Sequence, residues 1–142
     1  MGVIHRMGLY NVLISAKEYS MELTIEQALQ QGVAAHEEGR LQEAERLYRA
    51  ILGSQPQHPD ANHNLGVLAS DVGKVDAALP HFKVALEVNP KQEQFWLSYI
   101  DALIKEKQFE TAKEVLEQGK KNGLAGEKDK RTNSTRKFMA KR

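Results

Sequence analysis

Three side chains near the middle of this 142-residue chain, His58, Asp60 and His63, are of the types that ligate a transition metal. A zinc ion needs three or four such donors held in a tetrahedron. Here the two imidazoles straddle Pro59 at the start of a predicted helix, and no third strong ligand stands nearby in the sequence. A solvated turn accounts for them, and no metal site is assigned. Glu37 with Glu38, and Glu43 with Glu45, offer paired carboxylates for general acid–base work, yet charges at these spacings describe the exposed faces of helices. The chain has no Cys, which removes thiolate catalysis, disulfides and cysteine zinc sites. It also lacks a Ser-His-Asp order, a P-loop and a glycine-rich phosphate cradle. The expectation is a protein with no enzymatic activity and no cofactor.

What the glycines do instead becomes clear from their spacing. Gly32 and Gly66 lie 34 residues apart, as do Gly39 and Gly73, and Pro56 and Pro90. Ala44, Ala78 and Ala112 recur at the same interval, each followed four residues later by a large apolar side chain: Tyr48, Phe82 and Leu116. Several independent columns at one period mark a repeat architecture.

Each unit reads as two helices. Ile25, Ala28, Leu29, Gly32 and Val33 form one apolar stripe at spacings of three and four, preceded by a capping-box pattern at Thr24 and Gln27. Gly39 breaks the run, Leu41, Ala44, Leu47, Tyr48 and Ile51 begin a second stripe, and Pro56 stops it. The second unit repeats this with Leu65, Val67, Leu68 and Val72, a turn at Gly73, then Ala78, Phe82, Ala85 and Leu86 before Pro90. The third carries Phe95, Trp96, Tyr99, Ile100 and Leu103, then Phe109, Ala112, Val115 and Leu116. Gly66 and Ala78 are placed where the helices of one unit cross, since only small residues let backbones approach so closely. Phe82 and Tyr48 fill the adjoining volume. Pro80, a few residues into its helix, predicts a mild kink against the carbonyl of Asp76. No hairpin buries its stripe alone, so the units must stack.

These residues resemble the tetratricopeptide-repeat family. Leu65, Gly66, Ala69, Ala78, Phe82 and Pro90 occupy its motif positions in the second unit, with Asn62 in place of the motif Trp and Ala69 in place of its Tyr. The first unit keeps Gly32, Ala44, Tyr48 and Pro56 but has Gln31 for Leu. The third keeps Trp96, Ala112 and an apolar Leu116, but puts Tyr99 and Ile100 where Leu and Gly are usual and Leu124 where Pro is, so its helices are expected to cross at a wider spacing. The resemblance covers roughly Ile25 to Gly126. It implies an all-α, right-handed α-solenoid of three helix hairpins, six helices in all, over residues 21–126, with repeats at about 25–58, 59–92 and 93–126.

In that family the first helices line a concave groove. The resemblance then assigns to the groove Glu26, Leu29, Val33, His36 and Glu37 from unit one. From unit two come Asp60, His63, Asn64, Val67, Ser70 and Asp71, and from unit three Gln94, Leu97, Ser98, Asp101, Ile104 and Lys105. An apolar strip rimmed by carboxylates suits a peptide or an amphipathic helix; packing between neighbouring helices is the other account of the same apolar residues. The family's clamp for the C-terminal carboxylates of heat-shock chaperones relies on Lys, Arg and Asn. Its positions here hold Leu29, Val33, Asn64, Gln94 and Ser98, and without cations a carboxylate cannot be held by charge-assisted bonds. Asn64 also matches the asparagine lining the groove of repeats similar to those of O-linked N-acetylglucosamine transferases. The stretches Phe95 to Asp101 and Ala44 to Arg49 look like repeats that precede bacterial glycosyltransferase domains.

The two ends differ from the repeats. Ile4, Met7, Tyr10 and Ile14 fall at helical spacing, which predicts a helix over Val3–Ala16 within an extension of residues 1–20; it would cap unit one, occupy the groove or pair two chains. Residues 127–142 carry a net charge of +5, leaving −4 on the rest of a chain whose total is +1. That basic tail, nearly without apolar side chains, predicts disorder, and its single Phe138 offers no stacking platform for nucleic acid. No apolar run approaches the roughly 18 residues that span a bilayer, and no signal-peptide pattern opens the chain, so a cytoplasmic location is expected. The sequence thus predicts a scaffold that binds a protein or peptide, with no specific nucleic-acid partner. Its alternatives are a substrate-presenting module of a larger glycosyltransferase-like enzyme, or self-assembly through apolar end faces or the N-terminal segment.

Overall fold

The computed structural model describes residues 11–15 and 20–124. Among the described residues, six helices follow one another as three antiparallel hairpins: α1 (Ile25–Glu37) with α2 (Leu41–Ser54), α3 (Pro59–Asp71) with α4 (Val75–Val88), and α5 (Glu93–Lys105) with α6 (Phe109–Lys121). This is the all-α solenoid that the 34-residue period implied.

Local chemistry sets the boundaries. Thr24 and Gln27 form a complete capping box: Thr24 N donates to Gln27 Oε1 at 2.9 Å, and Gln27 N donates to Thr24 Oγ1 at 3.0 Å. α3 begins on Pro59, whose missing N–H costs nothing at a first helical position, while His58 Nδ1 accepts from Ala61 N at 3.1 Å. Each first helix ends in the same paired-hydrogen-bond turn. Arg40 N donates to Ala35 O, Lys74 N to Ala69 O and Gln108 N to Leu103 O, all at 2.8 Å. That turn needs a left-handed residue, supplied by Gly39 at φ +81° and Gly73 at φ +84°, but by Lys107 at φ +60° in the third unit. Pro80 lies inside α4, which continues through it to Val88.

Ahead of the helices the structure corrects the sequence expectation. Asn11–Ser15 is strand β1, paired antiparallel with β2 (Ser20–Thr24), Val12 opposite Leu23 and Ile14 opposite Met21. The predicted helix over Val3–Ala16 is therefore wrong across those five residues, and the rest of that prediction lies outside the described residues. A short apolar run such as Val12-Leu13-Ile14 cannot be assigned to helix or strand by periodicity alone, and its β-branched members fit the pleated pairing. Leu23 joins the core with Ile25, Ala28, Leu47, Ile51 and Ala61, so the strand hairpin sits on the first helical hairpin. The basic tail, residues 127–142, also lies outside the described residues.

Small-to-large contacts hold each of the first two hairpins together. A Cβ placed on Gly32 would lie 2.7 Å from Tyr48 Cε1, and one on Gly66 would lie 2.6 Å from Phe82 Cε1. Neither side chain has room to retreat, because Tyr48 is fully buried and Phe82 nearly so. In the third hairpin Ile100 and Leu116 take those places, both only half buried, and α5 approaches α6 at fewer backbone positions than α3 approaches α4. Between hairpins, Ala44 packs with Leu65 and Leu68 of the next unit, and Ala78 with Ala102 of the next.

Candidate functional site

The first helices α1, α3 and α5 lie side by side and form one face of the stack. Because successive units are displaced by 34 residues, neighbours across the α1/α3 and α3/α5 seams are 35 apart. His36 Nε2 lies 2.8 Å from Asp71 Oδ2, and His63 Nε2 lies 2.8 Å from Ser98 Oγ. These bonds tie one hairpin to the next along the face.

Between α1 and α3 the face opens into a depression of about 380 Å³ lined by Val33, His36, Glu37, Tyr48, Asn64, Val67 and Asp71. Val33 and Val67 are half buried and form its apolar part; Glu37 and Asp71 are exposed at its rim. Tyr48 reaches it from α2, with its ring 6.3 Å from that of His36 in an edge-on arrangement. Burial, reinforced by the Glu37 carboxylate, pushes the Tyr48 phenol up to about 12, so the hydroxyl keeps its proton at any physiological pH. Among the described residues, no Lys or Arg lines the depression.

Of the groove residues assigned from the sequence, the structure brings Val33, His36, Glu37, Asn64, Val67 and Asp71 together here. It does not include Leu29, which packs among core residues of the first hairpin and the second. His63 is drawn to the other seam: its ring stacks 4.8 Å from Phe95 and 5.5 Å from Phe82, and its Nδ1 lies 3.4 Å from Asn64 Oδ1. Burial lowers the His63 pKa, and the Asn64 hydrogen bond and the Asp60 charge oppose that only in part. Leu97 is half buried against the core around Trp96. Asp101 lies 3.2 Å from Lys105 Nζ on α5, and Ile104 stands exposed at the same end.

The histidines weighed as metal ligands serve separate ends. His58 caps α3 and His63 bridges to Ser98, and no group of three or more His, Asp and Glu side chains fit for a metal is found among the described residues. No described helix is long and apolar enough to cross a membrane.

Sequence reasoning missed the role of Asn62, which stands where the third unit has Trp96. Trp96 Nε1 donates to Pro90 O at 2.8 Å, and Asn62 Nδ2 donates to Pro56 O at 3.1 Å. The amide therefore keeps the tryptophan's N–H while losing its ring. It also accepts from His81 Nδ1 at 3.0 Å, at a place where the other units put Leu47 and Val115. Asn62 is only 3% exposed, so this pair is a polar insert in the core. Two substitutions 19 residues apart were the signal, since both break an apolar column at once.

Tetratricopeptide-repeat models match residues 28–62 and residues 69–123. Among curated proteins no sequence relative is found. Several solved structures share the fold. The Yersinia enterocolitica type III secretion chaperone SycD, in complex with a peptide of the translocator YopD, aligns at TM-score 0.64 and 16% identity, covering 78% of this chain and 87% of that one. The first tetratricopeptide repeat domain of Spaghetti, bound to an HSP90 peptide, aligns at TM-score 0.66 and 18% identity, covering 82% and 90%. The Thermobaculum terrenum O-GlcNAc transferase aligns at TM-score 0.63 and 21% identity, covering 70% of this chain but only 19% of that one. At these identities the likeness is one of fold.

Proposed function

Because the chain belongs to the tetratricopeptide-repeat family, we propose that it is a protein-interaction module that takes a peptide or helix along the face of α1, α3 and α5. The observation that carries this reading is the depression between α1 and α3, where half-buried Val33 and Val67 are left uncovered beside polar groups. Buried apolar area drives association while a few fixed polar groups orient the guest. Relatives of the same fold were solved with peptides bound, SycD with one from YopD and the Spaghetti domain with one from HSP90, which supports the assignment. Ordering a flexible guest costs about 2–5 kcal/mol of the gross interaction, so the expected affinity is weak to moderate.

Val33→Glu combined with Val67→Glu, both on the lining of the depression, tests the reading. Partner capture from a cell extract should be abolished while the circular-dichroism spectrum stays helical. Undiminished capture by the folded double variant removes the groove from consideration and leaves self-association, which sedimentation would then report. The fold shared with part of the O-GlcNAc transferase keeps a second reading in play, a module that presents protein substrates to a larger enzyme.

A further inference from the structure

We propose that the α1/α3 depression is a subsite for the side chain of a Lys or Arg in the bound peptide, a proposal that rests on the groove reading above. The argument begins with Tyr48. Its side chain is 0% exposed, and its hydroxyl has no hydrogen-bond partner among the described residues. Packing does not require that hydroxyl: Phe82 meets Gly66 in the second hairpin just as Tyr48 meets Gly32 in the first, with a ring alone. A buried hydroxyl left unpaired is destabilising, and Tyr48 is one of the residues that line the depression.

Its surroundings decide what would pair with it. Two carboxylates, Glu37 and Asp71, stand at the rim, and His36 occupies Asp71 Oδ2 but not Oδ1. An acidic guest would face both carboxylates, with no cation among the described lining residues to offset them. A purely apolar guest would cover Val33 and Val67 but leave the Tyr48 hydroxyl unpaired and dry. A cation on an aliphatic stem meets every requirement. Its methylenes lie on the two valines, and its N–H donors, three on Lys and five on Arg, reach Tyr48 Oη and the carboxylates.

The test selects random peptides displayed on phage against the whole protein, its Tyr48→Phe variant and the groove-blocked Val33→Glu, Val67→Glu variant. Synthetic versions of a selected peptide then carry Lys, norleucine or Glu at the enriched position and are titrated by fluorescence anisotropy. Wild type should enrich Lys or Arg beside an aliphatic residue. Norleucine should bind about tenfold more weakly than Lys, as befits a lost hydrogen bond to a charged group, and Glu should not bind. Tyr48→Phe should weaken the Lys peptide by about the same factor without lowering the melting temperature, because it deletes an unpaired group. Norleucine binding as tightly as Lys, or a Tyr48→Phe variant of unchanged affinity, overturns the proposal. Apolar peptides enriched without Lys or Arg would sink the cation subsite and leave the groove reading standing; no enrichment above the blocked variant would sink both.

Discussion

In the second hairpin Gly66 lets α3 settle against the ring of Phe82 on α4, whereas the third has Ile100 and Leu116 in those places and its helices stand further off. The cavities at the two unit junctions differ as well. A cavity of about 240 Å³ at the junction of the first and second units, lined in part by Leu65 and Ala77, grows to about 480 Å³ at the junction of the second and third, where Tyr99 and Thr111 hold the corresponding positions. Yet the backbone turn between α5 and α6 keeps the hydrogen bonds of the other two turns. The path of the chain is thus set by the stack as a whole, while the closeness of each hairpin depends on its own small residue. The third unit recovers part of the loss differently. Leu124, where earlier units have Pro, folds back against Gly119 and Trp96 and is buried.

The largest expected effect breaks this comparison directly. Phe82→Ala should cost about 3–5 kcal/mol in urea unfolding, as deletion of a buried aromatic does. Leu116→Ala, at the equivalent but half-buried place, should cost only about 1–2 kcal/mol by the area it still buries. Equal losses would mean that the third hairpin is as tight as the second.

A smaller effect comes from acid. His63 and His81 are both held below the ordinary histidine pKa, His63 by burial and His81 by burial and then by Arg49. A group whose pKa is depressed in the fold binds its proton more readily when unfolded, so stability is retained above the unfolded value of about 6.5 and falls as pH drops below it. His81 is also fixed as a donor to Asn62, and His63 with its proton on Nδ1 accepts from Ser98 at Nε2, an acceptance that protonation ends. Melting temperatures between pH 7 and pH 5 should therefore decline, and less steeply in His81→Leu, which restores the side chain of unit one at that column. An unaltered slope in His81→Leu would assign the pH dependence elsewhere.

How much of this was legible depends on the kind of interaction. The helical hairpins were legible because Gly39, Gly66, Ala78, Phe82 and Pro90 recur at a fixed interval, and each marks a turn, a contact or a stop with its own sequence type. The face of first helices followed from the same register, and six of its assigned residues do gather between α1 and α3. Leu29 and Val33 are both half buried and both pack against the core around Tyr48, yet only Val33 also lines the depression; that difference turns on the exact angle between helices and leaves no mark on periodicity. The same holds for Asn62 and Leu124, whose partners are reached only through the packing of neighbouring elements. At the N-terminus the helix expected from spacing fails over Asn11–Ser15, where pairing with Ser20–Thr24 won.

The smallest effect sharpens the comparison at the turns. Lys107 adopts φ +60° where the earlier units have Gly73 at φ +84° and Gly39 at φ +81°, and a side chain in that region crowds its own carbonyl. Lys107→Gly should relieve the crowding but add freedom to the unfolded chain, for a net gain of about 0.5 kcal/mol. Gly73→Ala should lose about 1 kcal/mol for the converse reason. Nothing lies within 4 Å of a Cβ at Gly73, so the loss would report backbone strain and not a clash. Parallel chemical denaturation of the two variants measures the pair. A destabilised Lys107→Gly would show that the lysine stem contributes packing at this turn, and the third unit would then differ from the second in the turn as well as in the crossing of its helices.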